Sequence, residues 1–229
     1  MTAERDDDLP AACASPPCWL HEVDPAYSGL TTTARPMDWP AVQRWREAER
    51  ARLLAARLAI PPDARRQKDA AIAAHLEAVL GAVAGQVVSA YWAIRGEPDL
   101  RRCVERLVAA GARAALPVVV APGRPLVFRA WTPGAPLKQA IWGIPTPGPD
   151  AETLVPDILA IPLVGFDAAG HRLGHGGGFF DRTLAAMPHQ PRIIGVGYAQ
   201  AAITTIHPQP HVVEDARQIL AIELGDLFG

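Results

Sequence analysis

Residues 155–184, VPDILAIPLVGFDAAGHRLGHGGGFFDRTL, constrain the fold of this chain more than any other stretch. They open on an apolar run, 158–164, without alternation, as expected of a strand buried on both faces. A glycine-rich segment, 170–178, follows at once, and residues 179–187 then have helical character. A strand that enters a helix through glycines makes a bend of bare backbone. Gly174, Gly176, Gly177 and Gly178 have no Cβ, so the bend can take positive φ and approach a ligand closely. Successive free N–H groups there form an anion-binding concavity, and a helix N-terminus adds partial positive charge. Arg172 and Arg182 flank the bend with guanidinium forks suited to phosphate oxygens. Asp181 can hold a magnesium ion that accompanies a nucleotide. The bend therefore reads as a phosphate site. The plainer alternative is a tight turn whose glycines serve only backbone geometry.

Neither common glycine motif is present. A P-loop requires Gly-x4-Gly-Lys-Ser/Thr, and no lysine follows these glycines. The dinucleotide fingerprint requires Gly-x-Gly-x-x-Gly, and Phe179 occupies the place of its third glycine.

Composition bounds the rest. At 229 residues one domain with an extension is the default. A net charge of −2 gives no footprint for nucleic acid or anionic membrane. Of the 22 basic residues only Lys68 and Lys138 are lysine, so arginine must make any phosphate contact. No apolar run has the length of a membrane span, and the acidic MTAERDDDLP start is unlike a signal peptide. Cys13, Cys18 and Cys103 make no disulfide framework, which fits a reducing cytoplasm.

Residues 1–38 hold Asp6-Asp7-Asp8 and several prolines without apolar periodicity, and read as an extension, partly disordered or laid on the surface. Cys13, Cys18 and His21 are only loosely zinc-like in spacing, with no second ligand pair. A solvated tail able to contact an unidentified protein partner fits better. From residue 39 onward the chain reads as an α/β domain. Residues 40–58 form a helix ended by Pro61-Pro62, with Arg46, Arg50 and Arg57 on one face. Asp63 is expected to N-cap a second helix reaching about Val83. Residues 86–94 read as a strand, 100–110 as a helix with Gly111 at C′, and 115–121 and 126–131 as strands. Residues 131–156 read as a long irregular loop, followed by strands at 158–164, 192–199 and 218–224. Strand, helix, strand implies an α/β layer architecture. The fold expected is a three-layer α/β/α sandwich around a mostly parallel, mixed central sheet.

The segment Gly170-x-Arg172-Leu173-Gly174-x-Gly176-Gly177-Gly178-Phe179-Phe180-Asp181-Arg182-x-x-Leu184, preceded by Pro162-x-x-Gly165-Phe166-Asp167, resembles the 5-formyltetrahydrofolate cyclo-ligases. Family members usually carry two tyrosines at Phe179 and Phe180. The resemblance covers roughly residues 42–224 and implies ATP-dependent cyclisation of 5-formyltetrahydrofolate to 5,10-methenyltetrahydrofolate, with ATP and Mg2+ as cofactors. The formyl oxygen would attack the γ-phosphate in line, and N10 would close the ring as phosphate leaves. By the same resemblance, ATP would be held by Arg46 and Arg50 of the first helix and by Arg172, Leu173, Gly174 and His175. Gly176, Gly177, Gly178, Phe179, Phe180 and Asp181 would complete that site. Arg172 and Arg182 would be the catalytic cations and Asp181 the metal ligand. Tyr91, Glu97 and Trp142 would bind the folate; a carboxylate such as Glu97 can read the paired N–H donors of a pterin.

Four departures stand out. Arg46 replaces a family lysine, Glu49 a leucine and Thr146 a glutamate, and Val212 stands where an aspartate follows His211. They leave open a divergent paralogue with another substrate, or a non-catalytic nucleotide or folate binder.

Overall fold

Residues of opposite parity in the central strands face opposite ways, and two separate cores grow from that alternation. The computed structural model describes residues 38–207 and, as backbone, 218–222. The extension expected over 1–38, apart from Asp38, and the segment carrying His211 and Val212 lie outside the described residues, as do Cys13, Cys18 and His21.

Helix α1, Trp39–Leu58, is rich in alanine, arginine and leucine and buries Val42, Arg46, Leu53 and Arg57. Helix α2, Pro62–Leu80, starts earlier than expected: Pro61 is the N-cap and Pro62 the first helical residue. The fixed φ of Pro62 already suits a helix. Asp63 therefore falls in the first turn, where it pairs with Arg66. Gly81, at φ +65°, ends α2 by donating its N–H to Glu77 O at 3.0 Å.

Strand β1, Val87–Ser89, is much shorter than the expected 86–94. Beyond it the Tyr91 hydroxyl donates to Pro98 O at 3.0 Å, while Arg95 and Gly96 take positive φ and turn the chain. Then come α3, Arg101–Ala109, with Gly111 beyond it at φ +93°, and β2, Arg113–Val118. Strand β3 is Val127–Ala130. The expected irregular loop contains a small hairpin, β4, Lys138–Gln139, with β5, Pro145–Thr146, and a sheet strand, β6, Thr153–Leu154. The remainder is β7, Ile158–Pro162, β8, Gly165–Phe166, β9, Arg172–Leu173, α4, Phe179–Ala186, β10, Arg192–Tyr198, and β11, Gln218–Ile222.

The main sheet has the order β11-β10-β7-β1-β2-β3-β6. Strands β11 through β2 are parallel, and β3 and β6 continue antiparallel. Val88, Leu116, Ile158, Ala160, Ile194 and Val196 meet α2 and α3 through Ile72, Leu76 and Leu107. The alternate residues, Ala115, Leu159, Ile161 and Ile193, meet α4 through Leu184. The result is the expected three-layer arrangement.

Cys103 belongs to the first core. Burial, reinforced by the nearby Glu77 carboxylate, pushes its thiol up to about 12, which disfavours the thiolate form.

The sheet changes winding direction between β1 and β7: β1 leads through α3 to β2 on one side, and β7 through α4 to β10 on the other. In open α/β sheets ligands bind beyond the carboxyl ends of the strands at such a switch point. The turn carrying Glu97 follows β1 there, and the glycine bend follows β7.

Candidate active site

The bend starts where the β8–β9 hairpin ends. Asp167, buried, fixes that hairpin: Oδ1 accepts the N–H groups of Ala169 and His171 at 3.1 Å, and Oδ2 that of Ile206 at 3.2 Å. Positive φ occurs at Gly176 (+93°) and Gly178 (+62°) and not at Gly174 or Gly177, so two of the four glycines use that freedom. Gly178 is the N-cap of α4, without a capping side chain, and leaves the helix N-terminus open. Leu173 is buried below the bend.

Three guanidinium groups converge on this backbone. Arg50 reaches across from α1 and donates Nε to Gly174 O at 2.8 Å. Arg172 is buried, pairs through Nη2 with Asp181, and lies 5.9 Å from the Phe180 ring centroid. Arg182 donates Nη2 to Gly177 O at 2.6 Å and lies 5.1 Å from the Phe179 ring centroid. Among the described residues, the Nε atoms of both Arg172 and Arg182 are buried without a hydrogen-bond partner. Buried donors are normally satisfied, so a cluster of cations with two unpaired N–H groups suits an anionic ligand. The cradle is also tight. A Cβ on Gly178 would come within 2.7 Å of Arg182 Nη1, and one on Gly177 within 2.9 Å of the Phe179 ring.

Asp181 is the acid of the bend, with Arg172 engaging Oδ1. No cluster of three or more His, Cys, Asp or Glu able to hold a metal occurs among the described residues. The donor set still fits Mg2+, which commonly uses one or two carboxylates and completes its shell with phosphate oxygens and water.

The turn after β1 brings Glu97 to the same place. Its side chain is only 2% exposed. Oε2 accepts the Ile94 N–H at 2.9 Å, and Oε1 lies 2.8 Å from His175 Nε2. A carboxylate is an acceptor, so Nε2 carries the proton and donates. Arg57 of α1 pins the turn, with Nε to Arg95 O at 3.0 Å and Nη1 to Leu163 O at 3.1 Å. Burial lowers its pKa from the usual arginine value, and the Glu97 charge opposes that shift. By resemblance Arg57 matches a second family arginine on this helix, but sequence reasoning assigned it no named site role. The signal for that match was its place seven residues beyond Arg50.

Trp142 tips the β4–β5 hairpin, 67% exposed, with φ +61° and ψ 19°. A bulky residue in that region is an outlier of the kind found at ligand sites. Its ring meets Phe179 edge-on at 5.6 Å, which places it over the start of α4. Thr146, at the family glutamate position, is buried with Oγ1 donating to Lys138 O at 3.5 Å.

Two predicted residues do not reach this cluster. Arg46 is buried and donates Nε to Ile206 O and Nη2 to His207 O, each at 3.0 Å. Tyr91 is in the core with its hydroxyl on Pro98 O, where it braces the Glu97 turn rather than pointing out of it. No helix among the described residues is long and apolar enough to cross a membrane.

Comparison with known proteins bears on the family and the fold. The chain matches the 5-formyltetrahydrofolate cyclo-ligase family over residues 42–214. It is 34% identical over 152 residues to the 5-formyltetrahydrofolate cyclo-ligase of Escherichia coli K12, spanning 62% of this chain and 81% of that protein. The Mycolicibacterium smegmatis 5-formyltetrahydrofolate cyclo-ligase is 34% identical over 139 residues, spanning 57% and 71%. The fold is shared with a solved 5,10-methenyltetrahydrofolate synthetase from Mycoplasma pneumoniae, with TM-score 0.64 and 24% identity over 78% of this chain and 99% of that one. The Aquifex aeolicus 5,10-methenyltetrahydrofolate synthetase gives TM-score 0.64 and 23% identity over 74% and 86%.

Proposed function

Since the chain belongs to the 5-formyltetrahydrofolate cyclo-ligase family, we propose that it converts 5-formyltetrahydrofolate to 5,10-methenyltetrahydrofolate, using ATP and Mg2+ and releasing ADP and phosphate. The observation that carries this reading is the convergence of Arg50, Arg172 and Arg182 on the glycine bend, with the Nε groups of the last two unpaired. An amide-like formyl oxygen is a poor leaving group, and ATP with its Mg2+ supplies the phosphoryl group that makes it a good one.

The side chains have no covalent work in this scheme; they position reactants and neutralise charge. Arg172 and Arg182 offer N–H groups to phosphate oxygens, and Arg50 fixes the backbone at Gly174. Asp181 keeps an oxygen for the metal beside its Arg172 pair. Glu97, held at the switch point, accepts the paired N–H donors of the pterin. Trp142 offers an exposed ring face to a flat heterocycle.

The deciding experiment mixes purified protein with 5-formyltetrahydrofolate and Mg-ATP and follows growth of the methenyl-folate absorbance band. A band that grows with protein concentration and vanishes without ATP is the expected result. No band, together with ATP hydrolysis stimulated by another small carbonyl or amide compound, would mark a divergent paralogue. Saturable ATP binding without hydrolysis would mark a non-catalytic binder.

A further inference from the structure

The Glu97–His175 hydrogen bond joins the two halves of the site across 78 residues of sequence. Its geometry has a consequence for both ligands. A carboxylate offers about four acceptor positions, and Glu97 uses one on Ile94 N–H and one on His175. With its side chain 2% exposed, a ligand cannot reach Oε1 while the imidazole covers it. The imidazole itself is 29% exposed and sits between Gly174 and Gly176, the latter at φ +93°. On either side the bend is fastened, Gly174 O to Arg50 and Gly177 O to Arg182. His175 is thus a side chain with backbone freedom between two anchored points.

We propose that His175 is a positioning residue that covers Glu97 in the ligand-free protein, and that its release couples folate binding to nucleotide binding. The proposal rests on the cyclo-ligase reading and adds to it how the two subsites communicate. Paired N–H donors of a pterin compete with His175 Nε2 for Glu97. Once displaced, the imidazole remains on the phosphate-binding bend, where its N–H can donate to a phosphate oxygen. A nucleotide that recruits His175 in turn uncovers Glu97. Both ligands favour the same released state, so each tightens the other, and by linkage the two factors are equal.

The test reads binding rather than turnover. Calorimetry on the full chain measures the affinity for a non-hydrolysable ATP analogue with Mg2+, with and without saturating 5-formyltetrahydrofolate. The wild-type protein is expected to bind the analogue at least about fivefold tighter when folate is present, the lower end of ordinary coupling. His175→Ala should bring that ratio close to one and tighten folate binding measured alone. His175→Gln, whose amide can still donate to Glu97, should retain a ratio above one. Independently of any variant, histidine side-chain NMR of the wild-type protein should show the His175 Nε2–H signal altered by folate alone. A wild-type ratio of one, an unchanged ratio in His175→Ala, or an unmoved imidazole signal would each overturn the proposal. If both ligands bind but independently, only the coupling falls; if neither binds, the cyclo-ligase reading falls with it.

Discussion

Arg182 and Arg46 separate two uses of a guanidinium. Among the described residues, Arg182 donates one hydrogen bond, to Gly177 O, and keeps its Nε unpaired. Arg182→Ala is expected to weaken ATP binding by about tenfold, about 1.4 kcal/mol, with little change in the urea midpoint. Arg46 donates to two backbone carbonyls from a buried position. Arg46→Ala should lower unfolding stability by about 1–3 kcal/mol for the acceptors it strands, an effect larger than its effect on ATP affinity. Paired calorimetry and urea titration of the two variants check the contrast. The sequence made Arg172, Asp181 and Arg182 legible because they share one short segment with the glycines. Arg50 and Glu97 entered only through resemblance, since their partners lie 124 and 78 residues away. Arg57 entered the same way, as the match to a second family arginine, without a role of its own. An arginine stripe on a helix reads as solvated until its acceptors, here Arg95 O and Leu163 O, are known.

At the scale of elements, apolar runs were the readable part: β7, β10 and the three long helices fall close to where periodicity put them. Strand lengths were less readable. QVVSAYWAI has the composition of a nine-residue strand, yet only Val87–Ser89 pairs, because the Tyr91–Pro98 bond and the Arg95–Gly96 turn draw the chain out of the sheet. The β4–β5 hairpin was equally hidden, since proline and glycine content signals a loop but not a two-residue ladder within it. Gly197 in β10 offers a test of how tightly these elements fit. A Cβ there would lie 2.3 Å from Leu163 Cδ1 and 3.0 Å from its Cγ. Leu163 is itself almost fully buried. Gly197→Ala is therefore expected to cost about 1–3 kcal/mol through overpacking, measured as a lower urea midpoint with unchanged slope.

For the whole molecule, half-buried Asp69 and buried Arg57 each tie a helix to the rest of the domain, with opposite consequences. Asp69 of α2 accepts the Tyr198 hydroxyl of β10 at 2.7 Å, and burial raises its pKa above the usual carboxylate value. The folded protein therefore keeps a proton that the unfolded chain has already released. That contribution to stability is full below the unfolded pKa, about 3.9, and is lost as pH rises through the higher folded value. Asp69→Asn cannot ionise, so its melting temperature should fall less than that of the wild type as pH rises from about 4, as thermal scans across pH would show. Arg57 acts in the other sense, holding α1 against the Glu97 turn. Arg57→Met would strand the Arg95 and Leu163 carbonyls that the guanidinium serves and should destabilise by about 1–3 kcal/mol, read from urea unfolding.

Helix α1 also meets a problem of timing while the protein is being made. Its arginines emerge from the ribosome early, but their acceptors come late: Leu163 lies 106 residues after Arg57, Gly174 lies 124 after Arg50, and Ile206 lies 160 after Arg46. At about 5–20 residues per second, the nascent helix waits on the order of ten seconds before its last acceptor exists. Docking α1 is thus among the closing events of biosynthesis, and a ribosome-bound chain halted before residue 174 would carry the helix without the glycine bend that Arg50 secures.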